Sequence, residues 1–139
     1  MGMSIYLGTT SSGEPWVHLQ CASFHEMRSL LFFAAYGEDV EDYYEGIKEY
    51  TQEMMDDPLL GCLMWKCCAE DVITAYECHW LAIRIRELMP LVDASYNNKK
   101  ERKKEEEGAL TLKQMNTLLA AFLSSLERQD AKGCNLGWC

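Results

Sequence analysis

From residue 24 onward the apolar positions recur every three or four residues, the period of an amphipathic helix. Phe24, Met27, Leu30, Leu31 and Ala34 predict a helix over about 24–36, with Ser23 and Glu26 as a capping box and Gly37 as its stop. Val40, Tyr43, Tyr44, Ile47, Tyr50 and Met54 predict a second over about 40–55, opened by Asp39. Asp57-Pro58 opens a third, running over about 58–89 to Pro90. Such a helix is roughly 48 Å long and is either central or broken near its middle. Thr111 and Gln114 form another capping box, and Leu112, Met115, Leu118, Leu119, Phe122 and Leu126 carry a fourth helix over about 111–128.

Before residue 24 the period falls to two. SIYLG and WVHLQC flank TTSSGEP, which reads as a β-hairpin over about 4–21. Residues 97–108 contain no strongly apolar side chain and read as a solvated loop or an exposed helical extension. The tail, 131–139, is Gly-rich and expected to be irregular. The expected fold is a single mainly α domain over 1–139, roughly a four-helix bundle with a short N-terminal β-hairpin.

Composition narrows the function. The net charge is −9, which argues against a direct grip on nucleic acid, because phosphate contacts need clustered Lys and Arg. No apolar run reaches the roughly 18 residues of a membrane span. MGMSIYLGTT lacks a basic start followed by an apolar stretch, so a cytoplasmic location is expected. The seven cysteines are an odd number and read as free thiols in a reducing compartment.

Two stretches invite a chemical reading. In WVHLQCASFHE, His18 and Cys21 fall on opposite faces of a strand, and His25 turns away from both along the following helix. They cannot converge on one metal ion. In KCCAEDVITAYECHW no Cys-x-x-Cys pair exists, and Tyr76 occupies the Glu position of a Glu-x-x-His motif. Neither a metal nor a cofactor is expected. Leu60, Met64, Cys67, Asp71, Thr74, Cys78, Leu81, Ile85 and Leu88 instead trace a packing seam, and Trp65, Ala69, Val72, Tyr76, His79 and Ile83 trace a second. Asp71 interrupts the first seam. An enzymatic alternative therefore uses Asp71 as base, with the Cys78 thiol and His79, in a thiol- or metal-dependent reaction. A structural homo-oligomer, joined through Trp80, Ile73 or Trp138, is a further alternative.

Charge supplies the strongest signal. Residues 38–57 hold nine acids against one lysine, nearly the whole net charge. On a continuous helix Asp42, Glu45, Glu49, Glu53 and Asp56 would form one acidic stripe. The plain reading is a solvated face that keeps the chain soluble. The functional reading is a docking surface for a basic protein partner, with Tyr43, Tyr44 and Tyr50 as anchors. Small acidic inhibitors and nucleic-acid mimics distribute charge in this way. On this reading the chain is a small protein-binding or inhibitory module, not an enzyme.

Overall fold

A computed structural model describes residues 2–5, 17–65, 72–102, 110–133 and 136–137. Among them the chain is mainly helical, with six α-helices. Strands β1 (Gly2–Ile5) and β2 (Val17–Gln20) lie antiparallel, Gly2 opposite Gln20 and Ile5 opposite Val17. The turn expected between them falls outside the described residues, so the hairpin itself is not established.

β2 runs without a break into α1 (Cys21–Tyr36). Ser23 is therefore inside the helix and cannot cap it. Glu26 is redirected: its carboxylate accepts the Leu110 amide at 3.0 Å. α1 stops where expected, at Gly37 with φ +69°, whose amide donates to the Phe33 carbonyl at 2.7 Å.

The single helix expected over 40–55 is two short ones. α2 spans Val40–Tyr44 and α3 spans Gln52–Asp56. The break has a local cause. Gly46 takes φ +76°, which only glycine adopts without strain. The Asp42 carbonyl then accepts both the Ile47 and Lys48 amides, at 2.9 and 3.1 Å. Thr51 restarts the helix by accepting the Met54 amide at 3.2 Å. Breaking the helix also removes the four-residue spacings Glu45–Glu49 and Glu49–Glu53, and leaves only Glu53 and Asp56 three apart on α3.

The long helix expected over 58–89 is broken as well. Leu60–Met64 forms a π-helical turn, closed by the Trp65 amide on the Leu60 carbonyl at 3.0 Å. Residues 66–71 lie outside the described set, and with them Asp71, Cys67 and Cys68. β3 (Val72–Ile73) pairs antiparallel with β4 (Leu136–Gly137), so the tail is not wholly irregular. Thr74 and Glu77 then form a capping box that opens α4 (Ala75–Leu88).

A 3₁₀ turn, Met89–Leu91, carries Pro90 in its first turn and leads into α5 (Val92–Arg102). The charged run from 97 is thus helical to Arg102. α6 (Leu112–Lys132) has the expected Thr111–Gln114 capping box, runs four residues past the expected end at 128, and stops at Gly133 with φ +66°.

One cluster of buried side chains joins these elements. α4 packs along α6 and α1 against α5. Phe24 and Phe122 meet edge to face with centroids 6.2 Å apart. Cys78, Leu81, Ile85 and Leu88 bury one face of α4 as its seam predicts. The second seam does not pack: Trp65, Val72, Tyr76 and Ile83 are exposed, as is Trp80.

Candidate partner-binding surface

The acids of 38–57 divide into two sets. Five are held by the fold. Glu38 accepts from Lys48 at 2.8 Å and from the Tyr43 hydroxyl. Lys48 also reaches Asp42, at 3.8 Å. Asp39 does not cap α2 but receives Lys99 at 3.2 Å, and that ammonium sits over the Phe33 ring. Glu41 accepts from Ser29 at 3.3 Å and lies 3.5 Å from His25 Nε2. Asp57 is the most buried: Arg84 contacts both its oxygens at 3.1–3.2 Å, Tyr36 donates its hydroxyl, and the Leu59 amide donates at 2.9 Å.

Glu45, Glu49, Glu53 and Asp56 are the other set. All four are exposed, and among the described residues none makes an ion pair. They lie at the end of α2, in the connection, and on α3, so they are not one helical stripe. Glu53 sits in the first turn of α3, where the helix N-terminus favours a negative charge.

The anchors sort in the same manner. Tyr43 faces the core, between Phe32 at 5.2 Å and Tyr50 at 5.0 Å, and is withdrawn from the surface. Tyr50 is partly buried and stands edge-on to Trp65 at 5.7 Å. Tyr44 is half-exposed and donates to the Met64 carbonyl at 3.4 Å. The 44–50 connection thus lies over the end of the π-helical turn. Arg28, stacked 4.8 Å from the Phe24 ring, donates to the carbonyls of Leu63 and Met64 there. Trp65, Ile47 (67 % exposed) and Met55 are exposed apolar side chains of the same segments, and of the four carboxylates Asp56 accepts from Gln52 at 3.1 Å. Trp65 and Ile47 did not figure as anchors in the sequence, because the helical pattern had assigned them to packing faces, and Met55 fell on no stripe.

Of the enzymatic set, Cys78 and His79 lie among the described residues and face apart. Cys78 is fully buried, its Sγ on the Ile73 carbonyl at 3.6 Å. Burial pushes its thiol up to about 11, the setting of an inert cysteine. His79, the next residue, points outward and pairs with Asp130 at 2.9 Å, a partner 51 residues away that no local pattern announces. Asp71 lies outside the described residues. Ser29, Glu41 and His25 adjoin one another, but the carboxylate stands between hydroxyl and imidazole, the wrong order for activating a nucleophile. Among the described residues no group of three His, Cys, Asp or Glu side chains is placed to hold a metal ion, and no helix is long and apolar enough to cross a membrane.

Comparison with family models, curated proteins and solved structures finds no match to this chain. Function must be argued from its own residues.

The held phenols and the Cys78 thiol set a pH limit on the fold. Burial, then the hydrogen bond to Glu38, pushes Tyr43 up to about 12, and burial is also the main cause that raises Tyr36 and Tyr44. The unfolded chain releases these protons first, so it binds fewer protons than the folded one in alkali, and stability falls as pH rises. The thermal midpoint is expected to hold up to about pH 9 and to decline toward pH 12. A circular-dichroism midpoint unchanged across that window would contradict it. Glu38 acts oppositely. Lys48, then Tyr43, holds its carboxyl below the usual range, so its contribution is lost in acid.

Proposed function

We propose that the chain is a protein-binding or inhibitory module that docks a basic protein partner through the surface around residues 44–56. One observation carries this reading: the fold ties up Glu38, Asp39, Glu41, Asp42 and Asp57 internally, yet leaves Glu45, Glu49, Glu53 and Asp56 exposed beside Tyr44, Ile47, Met55 and Trp65. A docking surface combines the two, with charge steering encounter and apolar anchors supplying affinity. The partner is a cationic protein surface, including one that otherwise binds nucleic acid, and the setting is cytoplasmic. Reversing Glu45, Glu49 and Glu53 to Lys is expected to abolish partner capture while helicity stays intact. Capture by the reversed protein equal to the wild type, or capture insensitive to salt, would sink the proposal.

A second reading rests on α4. Tyr76, Trp80 and Ile83 line its outer face, exposed at helical spacing, which fits a contact between copies of the chain. Ile73 is fully buried in the core and takes no part. On this reading Trp80→Glu lowers the sedimenting mass at micromolar concentration. A wild-type chain that sediments as a monomer at all concentrations would rule it out.

A further inference from the structure

We propose that Trp65, with Tyr44 and Tyr50 beside it, seats an arginine side chain of the basic partner. This rests on the docking reading above and names what the surface recognises.

The rings are already fixed. Trp65 stands nearly perpendicular to Tyr50, at 85° and 5.7 Å; Tyr50 stacks on Tyr43 at 5.0 Å; Tyr43 meets the buried Phe32. The chain of rings ties an exposed indole to the core, so little side-chain freedom remains to be lost on binding. Trp65 nonetheless keeps 46 % of its surface exposed.

Charge selects the occupant. Glu45 follows Tyr44 and Glu49 precedes Tyr50 in the chain, and neither makes an ion pair among the described residues. Among the described residues the nearby cations are already engaged, Lys48 with Glu38 and Asp42, Arg28 with the carbonyls of Leu63 and Met64. An indole face attracts a cation, and carboxylates beside it accept hydrogen bonds. Arginine meets both demands better than lysine: its planar guanidinium stacks on a ring while its edge N–H groups reach a carboxylate. Arg28 over the Phe24 ring shows this pairing inside the same molecule.

The test uses the full chain and two synthetic peptides, a Gly-Ser peptide bearing spaced arginines and its counterpart with lysine at every arginine. Calorimetric titration at low salt is expected to give about fivefold to tenfold tighter binding of the arginine peptide. Trp65→Ala removes that preference, Trp65→Phe keeps part of it, and Glu45→Gln with Glu49→Gln weakens both peptides. Equal binding of the two peptides by the wild type overturns the arginine seat, as does a preference that survives Trp65→Ala. If binding is equal but still falls in the Gln variant, docking stands and only the seat is lost. If neither peptide binds, or the Gln variant binds both undiminished, the docking reading falls and takes the seat with it. Should Trp65→Ala fail to fold by circular dichroism, the wild-type comparison and Trp65→Phe decide the matter.

Discussion

Replacing Asp57 by Ala is expected to lower the unfolding free energy by about 3 kcal/mol, with the denaturant midpoint falling and the slope unchanged. The Asp57 side chain is only 7 % exposed and accepts from Arg84, Tyr36 and the Leu59 amide. Removing it leaves a guanidinium that is 24 % exposed with only the exposed Glu87 carboxylate, 3.6 Å away, and strands a phenol and an amide at once. Burial of a cation without its partner is costly. The partial exposure of Arg84 lets water relieve some of that cost, which sets the figure at the low end for a broken buried pair. Asp57→Asn is expected to fall between, since it can still accept the Leu59 amide and the Tyr36 hydroxyl. A loss below about 1 kcal/mol for Asp57→Ala would show that the pair behaves as a surface ion pair. The residue matters because it joins the start of the 57–64 segment to α4, and so sets the base on which the 44–56 surface rests.

Phe122→Ala is expected to cost more, about 3–5 kcal/mol, the range for a buried aromatic truncated in a core that cannot close over the space. Phe122 is 2 % exposed in the middle of α6 and its ring meets Phe24 of α1 edge to face. A double-mutant cycle with Phe24→Ala is expected to return a coupling of about 0.5–1.5 kcal/mol beyond area burial. Chemical denaturation of the four proteins checks both numbers. Additive losses would mean that the two rings contact the core independently.

The two helices that the sequence describes best, α1 and α6, are those with strong stripes and either a clear stop, Gly37, or a clear start, Thr111–Gln114. Phe24, Met27, Leu30 and Leu31 and then Gly37 place α1; Thr111, Gln114, Met115, Leu119 and Phe122 place α6. Residues 40–55 misled because Tyr43, Ile47, Tyr50 and Met54 continue a helical period across Gly46, and one glycine costs a helix only about 1 kcal/mol. Its positive φ outweighed the pattern. Residues 58–89 misled for a related reason. The seam from Leu60 to Leu88 is in phase on both sides of the break, although Thr74-x-x-Glu77 is a legible start signal within it. α5 was hidden by Pro90, which ends α4 but sits comfortably in the 3₁₀ turn that leads into α5.

The acidic character of the surface was legible from composition, but its division was not. Lys99 lies 60 residues from Asp39 and Arg84 lies 27 from Asp57. Such partners follow from tertiary packing, which no spacing rule contains. Tyr43 and Tyr44 stood together in the expected apolar stripe and among the expected anchors, yet the short α2 turns one inward and leaves the other half-exposed.

The most direct test of the central claim measures two quantities on one protein, Glu45→Gln/Glu49→Gln/Glu53→Gln: its thermal midpoint and its capture of the basic partner. If these carboxylates face outward to bind, capture is lost, while the midpoint holds or rises as self-repulsion is relieved. A fallen midpoint would place them in the internal ion-pair network, and undiminished capture would contradict the account outright.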